Sequence, residues 1–376
     1  MPRNSLELRR QKYFEISSQI SQLDDEKLRS LLDQSASNES GTGWGMNHII
    51  IFEQSKVFVK RVPVTDLEYD NLFSTKNLYN LPPTYNYGFG STGLGVFREL
   101  VTHLKTTHWV LEGAIASSSD AHATFPLMYH YRIVPSTGER ADLEIDVEHW
   151  GNHINVKKYV LDRSNAQHEL VLFLEYVPHV LETWLQENPS KLRQSLNDLW
   201  RAIAFLRTKG IIHFDAHFRN VLTDGEQTYL TDFGLALDKS FAPTEEEENF
   251  FEQNTFYDYG EVLRNLGHPI RWAFDSCSDN SKRKIMEKYG INEGLQPYQV
   301  GAILLNNIKQ IHVDEDLNLD QFYVDSVVKY HSIVVLMQNF FSTMWSNPKK
   351  DTELPHKKLQ QLLNETGFLS SPDGET

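Results

Sequence analysis

Within residues 211–237, IIHFDAHFRNVLTDGEQTYLTDFGLAL, two aspartates and an asparagine stand at a spacing that chemistry could use. Asn220 follows Asp215 by five residues, and Asp232-Phe233-Gly234 begins twelve residues after Asn220. Between them, VLTDGEQTYLTD reads as strand, Asp224-Gly225 turn and strand, so the second acid comes at a strand end. Phosphoryl transfer is the reaction such a set suits. It asks a protein for little covalent chemistry and instead for magnesium, phosphates and an acceptor hydroxyl held in line. Magnesium takes oxygen ligands, usually one or two carboxylates beside substrate phosphates, and Asp232 and Asn220 are suitable donors. Asp215 is placed to orient an acceptor hydroxyl and accept its proton.

The elements that must position these groups change character along the chain. Residues 5–34 carry Leu6, Leu8, Phe14, Ile16, Ile20, Leu23, Leu28, Leu31 and Leu32 at helical spacing, with Asp24 as a cap. They read as one or two amphipathic helices that pack against the rest. HIIIF (48–52) and VFVKRV (57–62) read as a hairpin, in which Lys60 shares a face with Phe58 and Val62. GFGSTGLG (88–95) leads into a helix, VFRELVTHLKTTHWVLEG (96–113). FPLMYHYRIV (125–134) and ELVLFLEYV (169–177) read as strands, and the interval between them as further strands or a polar insertion. After about residue 178 the pattern is mostly helical, and SLNDLWRAIAFLRTKG (195–210) stops at Gly210. Strands first and helices afterwards predict an α+β protein.

HFDAHFRN followed by DFG resembles the catalytic and magnesium loops of protein kinases and their relatives. The resemblance runs from about residue 41 to 265 and is tightest at 211–237. It implies a two-lobed fold with a small β-rich N-lobe holding a long insertion (37–177) and a mostly helical C-lobe (178–376), after an N-terminal helical extension (1–36). By the same resemblance Asp215 is the catalytic base, and Asn220 and Asp232 bind Mg2+. Lys60 resembles the lysine that clamps ATP phosphates, with Glu99 preferred over Glu68 as its ion-pair partner. Gly41, Gly43 and Gly45 of GTGWG resemble, in part, the glycine-rich phosphate cover. Glu175-Tyr176-Val177 resembles the hinge, so Glu175 and Val177 are expected to meet adenine through their backbone groups. Asp258 resembles the buried aspartate that braces the catalytic loop.

Some positions depart from the protein-kinase pattern. Phe214 stands where an Arg that reads an activating phosphate is usual, and no APE-like anchor follows Gly234. His217 gives D-x-H-x-x-N, which resembles aminoglycoside and choline phosphotransferases, whereas FGLA after Asp232 resembles protein kinases. The run Glu245–Glu248 reads as a solvated face. GFGSTG (88–93) is a literal G-x-G-x-x-G, but LPPTYNY before it is a poor strand, so a dinucleotide site is rejected and a loop that starts the helix is preferred. The expected activity is transfer of the γ-phosphate of Mg-ATP to a hydroxyl, foremost Ser/Thr of a protein. The alternatives are a small hydroxylated acceptor and a nucleotide-binding pseudokinase scaffold.

Bulk properties fit this reading. The 376 residues are 40% hydrophobic and 23% charged, with 36 basic and 51 acidic residues and a net charge of -15. That balance argues against a nucleic-acid partner, and the aromatic residues do not interleave with Arg or Lys. One cysteine, Cys277, excludes an intrachain disulfide and Cys-rich metal sites. The histidines lack metal-ligand spacing. With no signal-like h-region and no long apolar run, no membrane span and a cytoplasmic location are expected. The sequence sets no oligomeric state.

Overall fold

The computed structural model describes residues 3–34, 46–52, 54–88, 90–116, 124–136, 144–314 and 316–370. It is an α+β structure with small antiparallel sheets and a majority of helix. Gly41, Gly43 and Gly45 lie outside the described residues.

Two helices open the chain, α1 (Arg3–Ser21) and α2 (Asp25–Gln34). Asp24 accepts from the Lys27 N–H at 2.8 Å, satisfying a free donor of the first turn of α2. Strands β1 (Met46–Phe52) and β2 (Ser55–Val64) form the antiparallel hairpin, with Phe52 opposite Ser55. A short helix, α3 (Asp66–Tyr69), and the long α4 (Val96–Ala116) lead to β3 (Met128–Pro135). The interval where strands or a polar insertion were expected contains two helices among its described residues, α5 (Glu144–His149) and α6 (Ile154–Ser164). Val156, Tyr159 and Val160 of α6 fall on one helical face and are buried, a 3.6-residue period that the polar residues between them mask.

Strand β4 (His168–Glu175) completes the sheet, whose order is β1-β2-β4-β3. Alternation along β4 separates two cores. Leu170, Leu172 and Leu174 join Val62, Val64, Val96, Phe97 and Leu100 against α4. Val171 and Phe173 face the other way, into the main core that runs on to Phe368. Lys60 has the parity of Val62 and Val64, so β2 aims it at the α4 side.

The remaining strands are short. After β5 (His179–Val180), α7 (Leu181–Glu187) and α8 (Leu192–Thr208) comes β6 (Ile211–Ile212). Gly210, with φ +74°, turns the chain from α8 into β6. The hairpin β7 (Val221–Thr223) and β8 (Thr228–Leu230) follows, then β9 (Leu237–Asp238). Because β6 pairs with β9, the two ends of segment 213–236 are pinned side by side. Helices α9 (Glu245–Gln253), α10 (Tyr257–Arg264), α11 (Pro269–Ser276), α12 (Asp279–Tyr289), α13 (Pro297–Asn306), α14 (Ile308–Val313), α15 (Gln321–Ser346) and α16 (His356–Glu365) complete the chain. Among the described residues, no helix is long and apolar enough to cross a membrane.

Candidate active site

The middle of β2, the first turn of α4 and the segment after β8 bring Lys60, Glu99 and Asp232 together. Lys60 Nζ lies 2.6 Å from Glu99 Oε1 and 2.9 Å from Asp232 Oδ1. Burial alone would lower the Lys60 ammonium, but Asp232 and Glu99 outweigh it and push it above its ordinary value. Burial likewise opposes ionisation of Asp232, yet the Lys60 charge and hydrogen bond hold that carboxyl at about 2. Glu99 is also kept below its ordinary range by Lys60, against its own burial. Glu68, the other candidate partner, is used elsewhere. Its carboxylate accepts from Thr65 N and Oγ1, both at 3.0 Å, and from Val96 N at 3.0 Å, so it caps α3 and the start of α4.

Asp215 and Asn220 meet on the neighbouring loop. Asn220 Nδ2 donates to Asp215 Oδ2 at 2.6 Å and to the Asp215 carbonyl at 3.2 Å. With the amide nitrogen committed to Asp215, Asn220 Oδ1 is the atom available to a cation. His217 Nε2 stands 3.3 Å from Asp215 Oδ1. Burial raises the Asp215 carboxyl to about 6, with His217 pulling in the opposite direction.

Three buried side chains hold this loop in shape. Asp258 of α10 accepts from His213 N at 2.8 Å and Phe214 N at 2.9 Å. Asn265 Oδ1 accepts from Phe218 N at 3.1 Å. His213 is fully buried and pushed down to about 4 by that burial, hence neutral. Its Nδ1 accepts from Asp215 N at 3.2 Å, which leaves Nε2 as the donor to Thr231 O at 3.0 Å. Phe214 and Asp232 both adopt left-handed backbone, φ +64° and +61°. Such residues cost about 1–3 kcal/mol each and persist only where the surroundings fix them. Around Phe214 those surroundings are aromatic: Phe250, Tyr257 and Tyr87 at ring distances of 5.3, 5.0 and 5.9 Å.

The hinge candidates sit at the end of β4. Val177 is buried. The Glu175 carboxylate is engaged by Arg9 of α1, with Nε at 2.9 Å from Oε1 and Nη2 at 2.6 Å from Oε2. It also accepts from Leu127 N at 3.0 Å, and Arg9 Nη2 donates to Phe125 O at 2.7 Å. Among the described residues no cluster of three His, Cys, Asp or Glu could hold a metal by itself. Asp232 and Asn220 carry oxygen donors of the kind magnesium takes.

Several contacts around the site escaped the sequence. The run Glu245–Glu248 is not wholly a solvated face. Glu247 is buried, closes the capping box of α9 with Thr244, and pairs with Arg98 of α4 at 2.6 Å. Lys105 of α4 reaches Asp238 of β9 at 2.5 Å. The glycines before α4 do more than start a helix, since Gly88 packs on Asp215 and Gly93 on Gly234. The T-x-x-E spacing of Thr244 and Glu247 marks the capping box, but no sequence signal marks the Arg98, Lys105, Gly88 and Gly93 contacts, whose partners lie more than a hundred residues apart. No protein-family model matches the chain, and no curated protein matches it either.

Proposed function

We propose that the chain is an ATP-dependent phosphotransferase with a two-lobed, protein-kinase-like arrangement, moving the γ-phosphate of Mg-ATP to a hydroxyl. The observation that carries this reading is the Lys60 ammonium bridging Glu99 and Asp232 beside the Asp215–Asn220 pair. Lys60 would hold phosphate oxygens, and Glu99 would hold Lys60. Asn220 and Asp232 would hold magnesium, which would neutralise phosphate charge. Asp215 would orient the acceptor hydroxyl and take its proton as the new O–P bond forms and the bond to the ADP oxygen breaks.

The sequence favours Ser/Thr of a protein as acceptor, within a 37–177 N-lobe and 178–376 C-lobe organisation. The alternative is a small hydroxylated acceptor, which the D-x-H-x-x-N pattern at His217 and the missing APE-like anchor favour. The test is incubation with labelled ATP and magnesium, with and without a cell extract. Label transfer that disappears in Asp215→Ala and Asp232→Ala supports the reading. Nucleotide binding without transfer to any acceptor would sink it in favour of a scaffold.

A further inference from the structure

Resting on that phosphotransferase reading, we propose that Arg9 is a positioning residue for the reaction: from the first helix it joins the end of β4 to the β7–β8 hairpin, and so sets Asn220 and Asp232, which bracket that hairpin, at their spacing for magnesium.

Three segments converge on one buried guanidinium. Arg9 donates from Nε and Nη2 to the Glu175 carboxylate, at the end of β4, and from Nη2 to the Phe125 carbonyl at 2.7 Å. Its face lies over the Tyr229 ring, 5.2 Å from the guanidinium carbon to the ring centroid. Glu175 belongs to the four-stranded sheet, and Tyr229 is the middle residue of β8 in the three-stranded sheet β5-β7-β8. Arg9 thus ties the two sheets together, with hydrogen bonds along its edge and a ring against its face. A planar fork can make both contacts at once, whereas an ammonium cannot.

From Tyr229 the chemistry is a few bonds away. Tyr229 is buried, and its hydroxyl donates to Asp224 Oδ2 at 2.7 Å. Asp224 Oδ1 in turn accepts from Glu226 N and Gln227 N, both at 2.9 Å, so the ring braces β8 against the turn of its own hairpin. The next residue, Leu230, lies opposite Val221 and donates from N to Thr124 O at 2.9 Å, beside the Phe125 carbonyl that Arg9 holds. Thr231 N then donates to Asn220 O at 3.1 Å, and Asp232 follows. A shift of β8 therefore moves Asp232 relative to Asn220.

The helix that carries Arg9 is itself anchored elsewhere. Ile16 and Ile20 of α1 are buried in the main core. Arg132 of β3 donates from Nη2 to Ser21 O at 3.2 Å and Leu23 O at 3.0 Å, holding the far end of α1. Arg9 thus reaches out from a fixed base. Burying a guanidinium is unfavourable beside an apolar side chain of similar size, so packing alone does not call for arginine here. Directional contact to three segments at once does.

The experiment compares wild-type protein with Arg9→Lys, Tyr229→Leu and Tyr229→Phe, each checked for cooperative urea unfolding. Lysine keeps a charge for Glu175 but cannot also lie flat on Tyr229, and leucine fills space without a π face. Phenylalanine keeps the ring under Arg9 and loses only the Asp224 bond. Two quantities are read: the Mg2+ concentration for half-maximal label transfer from ATP to a cell extract, and hydrogen exchange in the peptide holding Leu230 and Thr231. Arg9→Lys and Tyr229→Leu are each expected to raise the Mg2+ requirement about tenfold, with KM for ATP within about twofold of wild type, and to speed the exchange. Tyr229→Phe is expected to stay with wild type in both. A wild-type Mg2+ requirement in folded Arg9→Lys and Tyr229→Leu would overturn the inference while leaving the phosphotransferase reading intact. Tyr229→Phe as impaired as Tyr229→Leu would do the same, since the Asp224 bond would then set the hairpin without Arg9. Absence of transfer by the wild type itself would overturn both.

Discussion

Arg98 of α4 and Glu247 of α9 form an ion pair of 2.6 Å with both side chains withdrawn from solvent. The same guanidinium donates from Nε to Thr75 O at 2.9 Å and lies over the Phe241 ring. The helix that carries Glu99 is thereby tied to the segment following Gly234. Removing one partner of a buried pair strands the other charge, a loss of about 3–5 kcal/mol. Glu247→Gln is expected to fall in this range by urea unfolding, and the double variant Arg98→Met/Glu247→Leu to recover most of it. Phosphatase treatment is expected to leave transfer activity unchanged, because Phe214 offers no guanidinium to read a phosphate.

Lys60, Glu99 and Asp232 act as one unit, so their substitutions should not add. Asp232→Asn removes an ionised oxygen and is expected to lower kcat by about 10²–10³-fold. Lys60→Met leaves two carboxylates facing each other without a cation. Adding Glu99→Gln to Lys60→Met should cost little more, a non-additivity that a double-mutant cycle on kcat/KM would measure. Additive losses would mean that Glu99 does not work through Lys60.

The pH dependence follows from Asp215. Burial raises its carboxyl to about 6, and the protonated acid cannot accept the hydroxyl proton. Activity should therefore be full above that value and fall about tenfold per pH unit below it, as a one-proton limb in kcat/KM. His217→Ala removes a neighbour that favours the carboxylate, so the limb should move to higher pH. A limb that stays put would remove His217 from the account.

Arg9 connects the first helix to the end of β4. Arg9→Ala leaves the Glu175 carboxylate short of a partner and is expected to cost about 3 kcal/mol, with faster hydrogen exchange across α1. Glu175→Ala should lose comparable stability yet keep nucleotide affinity by titration calorimetry. Its carboxylate is engaged by Arg9 and the Leu127 N–H, and the expected adenine contacts are to backbone groups.

The sequence by itself determined what is local. Asp215, Asn220 and Asp232 could be picked out because one loop, one hairpin and one strand end carry them at fixed spacing. The face of β2 that holds Lys60 followed from a two-residue period, and Asp24 could be placed at the start of α2 by its position before EKLRSLL. The tertiary structure decided everything that joins distant segments. Glu99, not Glu68, meets Lys60 because Glu68 is spent on the N–H groups of Thr65 and Val96. Helix α6 was unreadable because polar residues interrupt its buried face of Val156, Tyr159 and Val160. Arg98–Glu247, Arg9–Glu175 and Gly88 against Asp215 leave no pattern along the chain. Such contacts depend on where packing puts two segments, and no periodicity within either segment encodes that distance.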